Sequence, residues 1–490
     1  MKEFFDFIVV GAGSAGCALA RRLSDDEGVS VALLEAGGQP SRPEIAEPSD
    51  YYKLWGSEVD WKYQSTPQAG TANRKHALPR GRVLGGTSAL NGMVYLRGDQ
   101  TDFDGWARDG CLGWDWLSVR STYEELEQLL HPSIASPTNE ISRAFVSAAQ
   151  EAGFAYNDSF DGGSLDGCGW NRLSIYGGGR QSSYRAFVEP VLGRRNLTVM
   201  PNLKVEKLLI SKKGDVTGVS VLDSDGRTRQ IQSGEVIVSA GAYDSPRLLM
   251  NSGIGPASHL RENNISPIVD LPVGENLQDH LLVGIVYTSK LPIAPLYAHI
   301  TECCAFSRST PDESSSNIEI SFNKEMHFAP PNSDGKPRFT IIPGATRLAS
   351  RGTVRLNPVE ESSGLDIDHN YFAEASDMQV MIEAFRQSRA IANSPALSEW
   401  SSEEYSPGSI VETDNQIKNY IINNVSTWFH PAGTCRMGVD SESVVDPKLR
   451  VLGTSGLRVA DASIMPRIVS ANTNAATMMI GWKAASLILN

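Results

Sequence analysis

The chain has little of what holds small secreted domains together. Its 490 residues include six cysteines (Cys17, Cys111, Cys168, Cys303, Cys304 and Cys435), with no CxxC pair and no Cys/His spacing suited to zinc. A disulfide scaffold is therefore not expected, no metal site is expected, and the thiols read as buried and reduced. Long apolar runs are missing as well. Phe7-Ile8-Val9-Val10 is too short for the core of an export signal and runs straight into glycines. No stretch approaches the ~20 apolar residues of a membrane helix, so the expectation is a cytoplasmic protein with no membrane span. Basic residues are the minority: 44 Lys and Arg stand against 57 Asp and Glu, a formal charge of −13. That balance argues against sequence-independent binding of nucleic acid.

What remains is the composition of an ordinary globular protein, 41% hydrophobic and 21% charged, too long for one simple core. Two closely associated domains are the natural division. The N-terminus gives the first motif. Phe7 to Val10 reads as a buried strand, Gly11-Ala12-Gly13-Ser14-Ala15-Gly16 follows at once, and Cys17 to Leu23 has a helical pattern. A second strand, Val29 to Leu34, ends at Glu35 and Ala36. GxGxxG alone is a weak signal, but in this strand–turn–helix–strand setting it describes a dinucleotide cradle. Gly11 permits the tight turn, Gly13 the close approach of a pyrophosphate, and Gly16 the contact of helix with strand. The helix N-terminus then receives the anion, and Glu35 can accept from ribose hydroxyls. This unit does not distinguish NAD from FAD.

Two longer stretches narrow the choice. Gly81-Arg82-Val83-Leu84-Gly85-Gly86-Thr87-Ser88-Ala89-Leu90-Asn91-Gly92-Met93-Val94-Tyr95 is similar to the first signature of the glucose–methanol–choline (GMC) oxidoreductase family. Gly241-Ala242-Tyr243-Asp244-Ser245-Pro246-Arg247-Leu248-Leu249-Met250-Asn251-Ser252-Gly253-Ile254-Gly255 is similar to its second. With the cradle and two C-terminal segments described below, the resemblance spans nearly the whole chain, in the family's order. Its C-terminal third resembles choline oxidase-like members, and its Ala-Asn-Thr-Asn stretch oxidases of furfuryl and aryl alcohols.

The resemblance implies an α/β fold: a Rossmann-like FAD-binding domain assembled from residues 1–150, 190–280 and 440–490. A substrate domain, built on an antiparallel sheet flanked by helices, would comprise 151–189 and 281–439. It further implies that FAD is held by Gly11, Gly13, Ser14, Ala15, Gly16, Glu35 and Ala36, and by Arg82, Val83, Gly86 and Ser88 of the first signature. Asn91, Gly92, Met93 and Val94 would run beside the isoalloxazine. Val205 would meet the adenine end, Ala240, Asp461 and Ala462 the diphosphate and ribityl chain, and Thr473 the pyrimidine edge. Trp61 reads equally as a cofactor neighbour or a core residue. Some relatives attach FAD through a His immediately before the Asn of the first signature. Leu90 stands there in this chain, so FAD is expected to be non-covalent.

The chemistry is expected near the C-terminus, in Trp428-Phe429-His430-Pro431-Ala432-Gly433-Thr434 and Ser470-Ala471-Asn472-Thr473-Asn474. Oxidising an alcohol requires a group that takes the hydroxyl proton while hydride leaves the carbon, and His suits that task near neutrality. The resemblance assigns His430 as base and Asn472 as the residue that positions the substrate oxygen, with Asn474 the competing candidate. His280 reads as structural, and His299 and His327 as possible substrate contacts. Glu302 and Phe429 are the expected pocket residues, Glu302 because a carboxylate in that region holds the ammonium of choline-type substrates. The segment 130–140 is shorter than in relatives. The expected activity is FAD-dependent oxidation of a small primary alcohol, with O2 or another acceptor, by a monomer or homodimer. A choline-type amino-alcohol oxidase, a lyase-type reaction and a non-catalytic flavoprotein stand as alternatives.

Overall fold

The computed structural model describes residues 4–134, 139–294, 301–323, 335–357, 359 and 364–489. Two sheets organise it. The first is built on β1 (Phe4–Val10), whose buried Ile8, Val9 and Val10 are the run that the sequence placed before the glycines. Strand β2 (Val31–Leu34) pairs with it in parallel on one side and β3 (Thr228–Val238) in parallel on the other. Leu197–Met200 extends the sheet beyond β2, again in parallel. Beyond β3 the direction reverses: Val216–Asp223 and Leu203–Ile210 form an antiparallel edge. Leu457–Val459, far along the chain, returns to pair in parallel with the end of β3. Parallel strands buried on both faces read as continuous apolar runs, which is why the Ile8 to Val10 end of β1 and all of β2 are legible without alternation.

Helix α1 (Ser14–Leu23) follows β1 and buries Cys17, Ala18, Leu19 and Ala20 against the sheet. Helix α2 (Gly241–Asn251) leaves the end of β3, and α3 (Thr473–Leu489) packs along α1. The contact of α1 with α3 is close: a Cβ on Gly481 would lie 2.2 Å from the Ala15 carbonyl oxygen.

The second sheet is antiparallel. Its central strands are β4 (Cys303–Ser307), β5 (Ile318–Asn323) and β6 (Arg338–Ala345), flanked by Gly167–Trp170 on one side. Ile285–Ser289 and Ser401–Ser406 continue it on the other. One face carries a hydrophobic core shared with helices Glu140–Glu151, Ala375–Ala392 and Asp414–Asn424. The opposite face turns toward the first sheet, where Cys304 and Phe306 meet Leu96 and Ala471.

Helix Glu140–Glu151 buries Ile141 and Phe145 in the core of the antiparallel layer, so by packing it falls on the other side of the expected boundary at residue 150. Conversely, Tyr184, Phe187 and Val188 pack into the core around α1, and so does the hairpin of Thr353–Leu356 with Leu365–Asp368. Side-chain burial, which propensity does not show, decides these memberships. All six cysteines are free and buried. Cys303 and Cys304 point to opposite faces of β4, as alternation along a strand requires.

Candidate active site

A cavity of about 370 Å³ lies between the two sheets. One end, around the Gly11 to Gly16 turn, is made largely of backbone. Gly11 has φ +99°, and a Cβ there would lie 2.5 Å from the Ser239 carbonyl oxygen; a Cβ on Gly16 would lie 1.9 Å from that of Gly11. Both are steric requirements for seating α1 on the sheet. Gly13 differs: an added Cβ would find nothing nearer than Gly86 Cα at 4.0 Å, so the space over Gly13 belongs to the cavity. Gly13 is also the residue that precedes the first turn of α1, and no side chain caps that turn. The uncapped N–H groups and the helix dipole leave a place for an anion.

Glu35, at the end of β2, accepts from the Ala12 N–H at 3.0 Å and the Gly37 N–H at 2.8 Å. Burial pushes its carboxyl up to about 7, against the pull of those two N–H groups. Asp461, just beyond Leu457–Val459, ties that strand's end to the start of α2: it accepts from the Gly241 N–H at 2.8 Å, Ser245 Oγ at 2.5 Å and the Ser463 N–H at 2.7 Å. Burial raises its pKa too. Trp61 lines the cavity with Tyr63 stacked on it and the guanidinium groups of Arg82 and Arg247 over its ring at 5.2 and 5.7 Å.

The other end is made of buried side chains. His430 is 9% exposed; its N–H donates to Asp279 Oδ1 at 2.8 Å. Its Nδ1 lies 2.9 Å from His280 Nδ1, and its Nε2 lies 3.3 Å from Asn472 Nδ2. An amide nitrogen can only donate, so Asn472 donates to Nε2, and the His430 proton sits on Nδ1 and points at His280. His280 then accepts at Nδ1 and carries its own proton on Nε2. That nitrogen makes no hydrogen bond of good geometry, yet the carbonyls of Val469 and Thr346 lie close enough to favour a proton on the ring. Burial, with the neighbouring His280 and Arg80 charges, holds His430 well below the ordinary histidine range. Burial likewise lowers His280 to about 4.

Asp279 fixes this arrangement. Besides His430 it takes hydrogen bonds from Tyr371 Oη at 2.8 Å and Thr427 Oγ1 at 2.5 Å, and His369 stands 3.5 Å away. Phe429 is held at φ +64°, a strained conformation for an aromatic residue, by the Thr427 hydroxyl on its N–H and Arg80 on its carbonyl.

Of the residues singled out in the sequence, Gly11, Gly13, Ser14, Ala15, Glu35, Ala36, Trp61, Gly86, Asn91, Gly92, Met93, Val94, Val205, Ala240, Asp461, Ala462 and Thr473 line the cavity, as do Phe429, His430 and Asn472. The two asparagines separate: Asn472 meets His430, whereas Asn474 accepts from Ser14 Oγ at 2.6 Å.

Five of the singled-out residues lie outside the lining. Gly16 is packed under the turn. Val83 is buried in a small apolar cluster with Leu54 and Val59. Ser88 donates to the Gly85 carbonyl at 2.5 Å and meets Ser183, so it braces its own loop. Arg82 lies behind Trp61, outside the lining. Glu302 faces away from the cavity and accepts from the Asn139 N–H at 2.9 Å, while its neighbour Thr301 lines the wall. Both residues precede β4, and the alternation of that strand, with Cys303 on the helix-covered face and Cys304 on the other, does not extend back to them. His299 and His327 lie outside the described residues, as does 135–138 of the shortened segment.

The lining also holds Arg80, Tyr51, Glu319 and Ser321, none of them singled out in the sequence, together with Trp55 and with Trp428 of the His430 motif. For His280 and Asp279 the signal was present in Gly274-Glu275-Asn276-Leu277-Gln278-Asp279-His280, which reads as a connection but delivers two polar side chains to His430.

Comparison with known proteins gives a consistent picture. Two family models described as GMC oxidoreductase match residues 5–282 and 349–481. An alcohol dehydrogenase [acceptor] of Pseudomonas putida is 35% identical, over 99% of this chain and 96% of its own length. A choline oxidase of Arthrobacter globiformis is 36% identical, over 99% and 94%. Among solved structures, pyridoxine 4-oxidase from Mesorbium loti superposes with a TM-score of 0.92 at 32% identity, covering 98% of each chain.

Proposed function

The chain belongs to the GMC oxidoreductase family, and from that premise we propose that it oxidises a primary alcohol to the aldehyde, using FAD held non-covalently in the cavity. The cradle fits such a group: open space over Gly13, an uncapped α1 N-terminus for a diphosphate, and Glu35 beside it for a ribose. Asn91 to Val94 and Thr473 line the stretch between this end and His430, where the isoalloxazine would be held. Leu90, also in the lining, offers no nucleophile for a covalent link. When bound, FAD supplies the acceptor for the hydride that leaves the carbinol carbon.

His430 takes the proton. Its Nε2 presents an electron pair, which here accepts from Asn472, because its proton is committed to Nδ1 and Nδ1 to His280. A substrate hydroxyl that takes the place of this contact gives its proton to Nε2. The Asn472 amide then donates to the oxygen as negative charge develops there, a preorganised contact that does not have to be assembled during the reaction. The lowered pKa of His430 keeps the imidazole neutral, and so able to accept, throughout the neutral range. Asp279 acts one layer back by fixing the backbone of His430 and the side chain of Thr427.

The observation that carries this reading is the 3.3 Å contact of His430 with Asn472 on the wall of a cavity that also contains a dinucleotide cradle. The test is anaerobic mixing of the purified yellow protein with a panel of primary alcohols, followed by air to see whether O2 reoxidises it. A suitable alcohol should bleach the flavin. His430→Ala should keep FAD and lose roughly 10²–10⁴-fold in the rate of bleaching. A variant that bleaches as fast as the parent removes His430 from the reaction.

A further inference from the structure

Strand β5 carries a charge where a sheet interior normally has none. Its residues alternate: Ile318, Ile320 and Phe322 enter the core below, and Glu319, Ser321 and Asn323 line the cavity. Glu319 is 1% exposed. Its Oε1 accepts from Ser321 Oγ at 3.0 Å, but its Oε2 has no hydrogen-bond partner, and no cation among the described residues neutralises it. Burial raises its pKa to about 7, opposed only by Ser321. A buried carboxylate with one oxygen unmet is costly, and such groups are retained where a ligand completes them.

The wall around it says what would complete it. Across the sheet, Glu319 stands opposite Gly344 of β6. A Cβ on Gly344 would fall 2.0 Å from the Trp428 indole, so the missing side chain is what admits that ring to the wall beside the carboxylate. The indole is in turn parallel to the His430 imidazole, at 7° with centroids 6.3 Å apart. Carboxylate, indole face and base thus follow one another along one wall of the cavity.

We infer that Glu319 anchors an ammonium group carried by the alcohol substrate. A primary or secondary ammonium N–H donates to the free Oε2 and its charge lies against the Trp428 ring, while the carbinol faces His430. The orphan oxygen needs a hydrogen-bond donor, which a quaternary ammonium does not have. The preferred substrate is therefore an amino alcohol with N–H groups. This assignment rests on the alcohol-oxidation reading above, and its test is arranged so that the two can fail separately.

Four compounds suffice, the fourth being the N-trimethylated form of the first. 3-(Aminomethyl)benzyl alcohol and 3-ethylbenzyl alcohol match in shape and differ in the nitrogen; 3-methylbenzylamine keeps the nitrogen and has no carbinol. The parent should show a kcat/KM for the amino alcohol roughly ten- to hundredfold above that for the ethyl compound. In Glu319→Gln that ratio should fall toward one. Calorimetric titration of the FAD-loaded parent with 3-methylbenzylamine should show binding that weakens by about tenfold or more in Glu319→Gln. If both alcohols are oxidised with the same ratio in parent and variant, the ammonium site is wrong and the oxidation reading stands. If the amine binds through Glu319 and no alcohol is oxidised, the site stands and the reaction is wrong. Equal preference for the N-trimethylated amino alcohol overturns the requirement for an N–H donor.

Discussion

The two ends of the cavity are built from different materials. The nucleotide end is backbone: glycines without side chains, the open first turn of α1, and carboxylates already bonded to neighbouring N–H groups. The reaction end is side chains, buried and incompletely satisfied: His280 Nε2, Asn472 Oδ1 and Glu319 Oε2 each lack a partner. Backbone recognition tolerates almost no substitution but asks nothing of pKa. Side-chain chemistry works through groups whose protonation is set by burial, and through polar atoms left free for a substrate.

The sharpest way to break this contrast is to put a side chain where the backbone end has none. Gly13→Val should fold, since its methyls enter cavity space, but should lose FAD. An affinity drop of at least ~10²-fold, about 3 kcal/mol of overpacking, is expected while the fold's far-UV spectrum is kept. Full FAD occupancy in that variant would show that the open space over Gly13 is not where the cofactor goes. A smaller effect is expected from the reaction end, without loss of the cofactor. Asn472→Ala should retain FAD and lose about 10²-fold in kcat/KM, the usual cost of one preorganised donor. An unchanged kcat/KM would leave Asn474 or a backbone donor in that role.

The smallest effect is on stability. Burial lowers His76 and His280 to about 4, His369 to about 3, and His430 well below its usual value. Below about pH 6.5 the unfolded chain takes up protons on these four that the folded protein refuses, so acidification removes stability. Glu35 and Glu319, both raised to about 7, act in the opposite sense: between about pH 4.5 and 7 the folded state holds protons that the unfolded one has released. Among the groups shifted furthest the four histidines outnumber the two carboxyls, with Asp102, Asp161 and Asp461, also raised by burial, on the side of the carboxyls, so the Tm should fall by a few degrees from pH 7 to pH 5. A higher Tm at pH 5 would mean that the carboxyls dominate. Glu319→Gln removes one opposing group and should steepen the fall.

The same contrast explains what could be read in advance. The cradle is legible because each glycine answers a local steric demand, at spacings set by one strand and one turn. The reaction end is gathered from positions far apart in the chain, and sequence carries only part of that placement. His430 was legible in its motif. The choice between Asn472 and Asn474 depended on the turn that begins α3, which sends one residue to His430 and the other to Ser14. Carboxylates were the least legible. Glu319 is placed by the alternation of β5, whereas Glu302 precedes β4, outside its regular alternation, and is turned to the Asn139 N–H. Ser88 shows the converse: a hydroxyl inside a correctly identified loop is spent on the loop itself.

The return of Leu457–Val459 to β3, and of α3 to α1, has a consequence for biosynthesis. When the first half of the chain has left the ribosome, the Val236 to Val238 edge of β3 has no neighbour on that side and α1 lacks the cover that α3 gives it. Roughly 220 residues must still be made before that neighbour exists, some 10–45 s at ordinary elongation rates. For that interval the nascent protein presents an open strand edge and a helix without its α3 cover, the surfaces on which partly made chains associate wrongly. The cradle that is read first is among the last parts to be finished, and its yield in a cell should depend on holdase chaperones more than the stability of the finished fold would suggest.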